Sequence, residues 1–511
     1  MTRARTNANQ SDSTYNTILG ASSLNVNTGS YNTAIGYSVL PVNTSGNYNT
    51  GLGYISLYSN TTGIANTAVG YSALSTNTTG SSNIAIGTNA LGSNTAGNTN
   101  IAIGCDSLRT NTTGGNNVVV GTSAMYYNTT GVNNTAIGNS ALNANTTGSY
   151  NVAVGSYALS ASTTGVNSVA VGYYALGATT TGTYNTAVGT QALNSSTTAS
   201  GNCAFGNAAA YSITTGGNNT ALGYAALYTT TTGTDNAAVG WSALYSNTTG
   251  TSNVGIGSAS GYYNQTGLQN VYIGYYAGTG ASGNSNSNNV GIGYYALNKI
   301  TTGANNVAVG VNSLYNTTTG TYNTAVGNSA GYYLQNGTNF VTGVNTTTVG
   351  NDARVSGDNQ VQMGNSSTSF YAYGAYNNRS DMRDKADVRD TVLGLEFVNK
   401  LRAVDFKWDY REDYDVEVID RDEDGNETGR HLERQEKDGS KKRTRYHHGV
   451  IAQEVKEVMD DLGVDFAGYQ DHTINGGCDV LTIGYTELIS PMIKAIQELT
   501  AKVEELESKL G

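Results

Sequence analysis

The chain has 511 residues, a formal net charge of -11 and 12% charged side chains, about half the ~25% usual for a soluble globular domain. Its 65 glycines come with only 2 prolines, which excludes collagen, and Cys105, Cys203 and Cys478 are too few and scattered for a disulfide scaffold, which fits folding in a reducing cytoplasm. There is no apolar run long enough for a membrane helix, no basic cluster for nucleic acid, and no apolar signal-peptide segment in Met1–Gln10.

The charge is unevenly placed. Residues 1–350 hold seven charged side chains (Arg3, Arg5, Asp12, Asp106, Arg109, Asp235 and Lys299), which sum to +1; the other 54 lie in 351–511, 33 acidic and 21 basic. Two halves with different chemistry are expected. Four domains follow: a short attachment segment, 1–16; a repeat shaft, 17–340; a collar, 341–379; and a compact charged domain, 380–511.

In the shaft, a glycine after a small–aliphatic pair recurs every 17 residues from Gly36 to Gly274 and resumes at Gly293, Gly310 and Gly327 after a two-residue insertion in 281–289. Gly20 marks an earlier, irregular copy. The consensus is N-T-A-V-G-x-x-A-L-x-x-N-T-T-G-x-x. Seventeen residues cannot enclose a core, so the copies must stack to bury their apolar side chains. The length is too short for a helical hairpin, and the glycine density opposes helices. The period therefore predicts a mostly β fold, an elongated parallel β-solenoid with one coil per repeat. Short strands fall at T-A-V and turns at the glycines. Asn32, Asn49, Asn66, Asn83 and Asn100 are placed to bond coil to coil as a ladder. One strand spacing per coil gives a rod of roughly 85 Å. Alternation is expected to turn the Ile or Val inward and to set Ala34, Gly51, Ala68, Ala85 and Ala102 outward, as a small-residue column against another chain. The A-[IV]-G coils resemble the left-handed β-roll of trimeric adhesin heads, whose usual repeat is shorter; the 14-residue spacing from Gly350 to Gly364 is nearer to it. That resemblance implies a trimer.

Functional signals within the repeat are sparse. Thr pairs such as Thr61-Thr62 and Thr78-Thr79 suit a solvated turn or, alternatively, a flat array for ice or glycan. Tyr37, Tyr54, Tyr71, Tyr173, Tyr174, Tyr275, Tyr276, Tyr294 and Tyr295 suit surface or interchain packing, or stacking on sugars. Glycan cleavage needs paired carboxylates about 5–10 Å apart. Asp106 and Asp235 lie several coils apart and the first glutamate is Glu396, so the shaft is expected to be non-enzymatic. The collar runs through Val349-Gly350 and Met363-Gly364 to Tyr371, Tyr373 and Tyr376.

In the last domain, Leu393–Leu401 reads as a short helix with Leu395, Val398 and Leu401 on one face, and Val404–Trp408 as a strand. Residues 409–446 form a charged insertion, an exposed hairpin or loop. His447–Val455 leads into a helix. Tyr485, Ile489, Met492, Ile496, Leu499, Val503, Leu506 and Leu510 follow a 4-3 spacing, a coiled-coil seam, with the helix starting near Ser490-Pro491.

Three motifs in order, S-D-x-R-x-K at 380–385, G-V-I-A-Q-E-V at 449–455 and Y-T-E-L at 485–488, resemble the intramolecular chaperone domain of phage tailspikes and tail fibres, best known from the endosialidase tailspike. The resemblance implies a domain that trimerises, templates folding of the β-structured shaft and then cleaves itself off before its serine, here at Arg379–Ser380. A serine needs a base to become a nucleophile. Lys385 fits that role where burial favours its neutral form, and His447 matches a histidine of the family that assists, with His448 as its rival. A Ser380 N-cap and a surface Lys385 are the plainer alternatives.

The expected protein is a virion tail fibre or appendage, made and folded in the host cytoplasm. It is a homotrimeric rod that binds a bacterial surface glycan or protein receptor and docks through residues 1–16 onto another virion tail protein. Its only enzymatic activity is single-turnover serine-type self-cleavage. No cofactor, metal, nucleic acid or membrane insertion is expected. The alternatives are a bacterial surface adhesin, an ice- or glycan-binding solenoid and a glycan depolymerase.

Overall fold

The computed structural model describes residues 15–368, 382–421, 427–475 and 479–510. The chain forms two compact units, Met1–Val290 and Gly291–Gly511. Twenty-one short strands, β1 (Thr17–Leu19) to β21 (Val361–Met363), follow the repeat.

In the first unit each three-residue strand pairs in parallel and in register with its equivalent one coil on. Ile84, Ala85 and Ile86 lie opposite Ile101, Ala102 and Ile103. The expected facing of the strands is reversed. Ala68, Ala85 and Ala102 are fully buried, whereas Ile86 and Ile103 are 39% and 37% exposed. The physical reason is the thinness of the coil. Leucines from the turn, such as Leu91 and Leu108, already fill its interior, leaving room opposite them for little more than a methyl group. At Gly51 even that is too much, since a Cβ would stand 2.4 Å from Val39 Cγ1. The β-branched side chains therefore form the outward columns.

Polar ladders hold the coils together. In the expected Asn column, Asn83 accepts from both the backbone N–H and the side-chain amide of Asn100, at 2.9 and 3.2 Å. Asn100 in turn donates to Gly114 O at 2.9 Å. A second buried column, missed in the sequence, runs through the N of N-T-T: Asn94 Nδ2 donates to Asn77 Oδ1 and Asn111 Nδ2 to Asn94 Oδ1, each at 2.8 Å. The first Thr of a pair is also committed, as Thr78 Oγ1 donates to Thr95 O at 3.0 Å. Those hydroxyls bind the next coil, which weakens the flat-array alternative. Each bond contributes about 1 kcal/mol net, and leaving a buried partner unpaired costs more.

The coil is strained when alone. Gly121 takes φ +142°, and a Cβ there would lie 2.3 Å from Gly138 O. Each coil between Gly87 and Gly172 also holds three non-glycine residues in the left-handed region; Asp106, Leu108 and Asn116 have φ 55°, 50° and 58°. Such a conformation costs roughly 1–2 kcal/mol per residue. The hydrogen bonds that offset it reach into neighbouring coils, as from Leu108 N to Ala124 O at 3.0 Å. A first coil is thus a costly nucleus, and a shaft of this kind gains from a folded template.

The insertion at 281–289 has a packing counterpart. Tyr272 replaces the inward Ala, is fully buried and bonds Asn286. Gly278 makes the room, because a Cβ there would stand 2.2 Å from the Tyr272 ring. Burial pushes the Tyr272 phenol far above the ordinary tyrosine range.

In the second unit the coils continue through Val307–Val309, Thr324–Val326, Thr347–Val349 and β21, again parallel. The last two strands fall within the stretch assigned to the collar. The charged domain has a small core of Leu393, Phe397, Val455, Met459 and Phe466. It is built by α1 (Leu395–Lys400), α2 (Ala452–Leu462) and three antiparallel pairs. The pairs are β22 (Val404–Phe406) with β25 (His447–Gly449), β23 (Asp415–Arg421) with β24 (Glu427–Arg434), and β26 (Tyr469–Asp471) with β27 (Leu481–Ile483). Phe397, rather than Leu395, is the buried residue of α1. The insertion is indeed a hairpin. The terminal helix α3 (Ile489–Leu510) exposes Ile496, Leu499, Val503 and Leu506 along the expected seam, at 46–64%. No helix among the described residues is long and apolar enough to cross a membrane.

Candidate processing and docking site

The junction Arg379–Ser380 lies outside the described residues, as do residues 1–14, Tyr371, Tyr373, Tyr376 and Cys478. Lys385 follows a single 3-10 turn, Met382–Asp384; its backbone N–H donates to Met382 O at 3.2 Å and the residue is exposed. His447 sits on β25 opposite Phe406. Its ring lies 6.1 Å from those of both Phe406 and Trp408. His448, on the other face of the strand, is exposed and pairs with Asp405 at 2.5 Å. Strand alternation thus gives the two histidines different surroundings: His447 is half-buried against aromatic rings and His448 is solvated beside Asp405. The contacts that place His447 are with these rings; a meeting of His447 with Lys385 and Ser380 is not among the described contacts.

The motif that begins at Gly449 has a structural reason. Tyr485 Oη accepts from Val450 N at 3.3 Å, and a Cβ at Gly449 would lie 2.2 Å from that oxygen. Gly449 and the Tyr485 motif therefore fit only together. In the same way Glu498 of α3 accepts from Leu395 N at 2.8 Å. That carboxylate caps the bare N-terminus of α1, where an anion is favoured, and ties the terminal helix to the core.

The sequence did not indicate how the hairpin docks on the last coils. Asp415, with 2% of its side chain exposed, receives Arg354 from a coil at 3.0 Å and Arg434 from β24 at 2.8 Å. Arg434 also donates to Gln335 O at 2.9 Å. Tyr333 Oη donates to Glu417 Oε1 at 3.3 Å. Nearby, Arg443 pairs with Asp413 at 2.8 Å, and Asp413 accepts from Ser366. Those that join residues 333–366 to the hairpin region span 47 to 99 positions, beyond any local motif. The one local hint was that Arg354 is among the first charges after a long uncharged stretch.

His472 makes a second contact with the coils. Gln360 Nε2, which can only donate, lies 2.8 Å from His472 Nδ1, and Ser356 Oγ also bonds that nitrogen. The proton therefore belongs on Nε2, which faces Thr482 Oγ1 at 3.1 Å. Burial holds the His472 pKa below the ordinary 6.5, with the Asp471 carboxylate opposing. A group with a depressed folded pKa disfavours the structure once protonated. The contact should be intact at neutral pH and weaken as pH falls from about 6.5 through the lower folded value. Hydrogen-exchange protection at Ser356–Gln360, relative to the intrinsic rate at each pH, should fall as the pH drops below about 6.5, and His472→Gln should abolish that dependence. An identical pH response in the variant would exclude His472 as its source.

Among the described residues no group of three or more His, Cys, Asp or Glu side chains is placed to hold a metal ion. Residues 380–464 match the family described as chaperone of endosialidase, Peptidase_S74. No match to the chain was found among curated proteins.

Proposed function

We propose that the chain is a trimeric virion tail fibre whose residues 380–511 drive assembly of the shaft and then release themselves at Arg379–Ser380. The observation that carries this reading is the family match, which begins at Ser380, directly after the coils and the collar. The strained coil supports it from the other side, since a shaft with a costly nucleus benefits from a template. Two apolar surfaces support three copies. Ile86, Ile103, Ile137 and Ile256 form an outward column, each 37–40% exposed, and the seam of α3 stands open along its length. The outward column replaces the small-residue column expected from the sequence.

In the proposed reaction Ser380 Oγ attacks the carbonyl carbon of Arg379. Its proton passes to Lys385, the C–N bond breaks, and the Ser380 nitrogen leaves as an amine with an ester in place of the peptide. Water then hydrolyses the ester, giving an Arg379 carboxylate and the free hydroxyl. His447 assists the proton transfers. Because Lys385 is exposed in one chain, the desolvation that makes it a base must come from neighbouring copies. Cleavage would then wait for trimerisation.

Native and intact mass of the purified wild type test this reading. The expected result is a trimer of 1–379 with 380–511 released. An uncut monomer would overturn both assembly and processing. An uncut trimer would retain the chaperone and remove the peptidase.

A further inference from the structure

The coils beneath the hairpin carry a cleft of about 750 Å3. Its floor is a run of tyrosines. Tyr294 and Tyr295 are 4.4 Å apart, Tyr295 meets Tyr315 at 5.8 Å, Tyr315 stacks on Tyr332 at 5.1 Å, and Tyr332 adjoins Tyr333 at 4.4 Å. A cation lies over each half of the run: Lys299 Nζ is 5.1 Å from the Tyr315 centroid, and the Arg354 guanidinium is 5.6 Å from that of Tyr333. Lys299 is the only lysine in the first 350 residues. Lys299 is half-removed from water, and burial disfavours its charged form.

The hairpin side of the cleft is formed by Glu417 and Leu432, with Asp415 beside it on Arg354 and Asp420 paired with His431. Asp415 reaches Arg354, Glu417 accepts from Tyr333, and Asp420 lies close enough to Lys299 to favour its charged form. All three carboxylates come from β23. On the coil side Lys299, Arg354 and Asp352 leave a net +1. The hairpin thus sets Glu417 against the tyrosine floor and Asp415 against Arg354, as an acidic sugar chain would set its carboxylates. Sugars lay their C–H faces on aromatic rings, and Lys and Arg bind carboxylates through charge-assisted hydrogen bonds.

We propose that this cleft binds a carboxylate-bearing saccharide, and that β23 covers it as a stand-in ligand until residues 380–511 leave. The inference rests on the release reading above and names the receptor chemistry for this part of the shaft. Before release, hairpin and saccharide compete for Arg354 and Lys299. After release, Arg354 keeps Asp352, 2.6 Å away, as its support, and turns the bond it gave Asp415 to the ligand.

The test separates the site from self-processing. A Ser380→Ala chain with a site-specific protease sequence inserted in 369–379 is titrated with oligogalacturonate and oligosialate, with maltoheptaose as the neutral control. Titrations are made before cutting and after the freed domain is removed by size in high salt. The cut shaft should bind at least one acidic oligosaccharide no less than about tenfold more tightly than the uncut chain does, a difference of about 1.4 kcal/mol. Lys299→Gln should lose that gain and Lys299→Arg should keep it. Equal affinity before and after cutting would overturn the masking. Equal binding of maltoheptaose would overturn the acidic class, and binding of none of the three would overturn the site. Intact mass of the wild type is read alongside. A wild type that stays whole while the engineered cut exposes binding defeats self-release and leaves the site standing. A wild type that cuts itself, with a freed shaft that binds nothing, does the reverse.

Discussion

Ser380→Ala is expected to leave the chain whole at 511 residues, whereas the wild type separates into 1–379 and 380–511. The expectation is all-or-none because alanine has no nucleophile and an uncatalysed peptide bond is stable on any working timescale. The same chain should still form the proposed trimer, since the substitution removes neither the outward β-branched columns nor the seam of α3. Lys385→Ala retains the proposed nucleophile and loses the proposed base. Such a loss typically slows reaction by about 10²–10⁴-fold, so a slow, time-dependent cleavage is expected in place of none. Intact mass over a time course reads both variants. Cutting of Ser380→Ala at the same bond would exclude the serine route. Unchanged kinetics in Lys385→Ala would move the base elsewhere, with His447 next in line.

Asp415→Ala is expected to be the most destabilising single change in the charged domain. Its carboxylate is nearly inaccessible and is shared by Arg354 and Arg434. Removing one partner from a buried ion pair typically costs about 3–5 kcal/mol, because the charge left behind is uncompensated. Arg354 retains Asp352 and Arg434 retains Gln335 O, which places the expectation near the lower end of that range. Denaturant unfolding of the uncut Ser380→Ala chain gives the number. A double change with Arg354→Met should cost less than the sum of the two single changes, because the second substitution removes the stranded cation. Additive losses would show that the pair does not hold the hairpin to the coils.

How legible each part was depended on how local its cause was. The 17-residue coil could be read directly, because glycine at φ between +127° and +142° and Asn side chains bonding across equivalent positions repeat at one fixed spacing. The strand at Val404–Phe406 was likewise visible as alternation, the charged insertion as a shift in composition and the terminal helix as heptad spacing, whereas β25 was not. The facing of T-A-V was not. Two periodicities, Ala against Val in the strand and Leu in the turn, competed for one narrow interior, and sequence alternation does not say which side chain the volume admits. The site was divided in the same way. Ser380, Lys385 and His447 stood out by motif. Asp415, Arg354 and His472 acquire meaning only through contacts 61 to 116 residues apart in the chain.

The sequence alone therefore determined that this is a stacked β-solenoid followed by a chaperone-like domain, since period, turn chemistry and ordered motifs are written residue by residue. Tertiary structure alone decided which columns face outward and that the charged insertion borders a tyrosine-lined cleft. Those outcomes depend on interior volume and on pairing between distant charges, which no local stretch of the chain encodes.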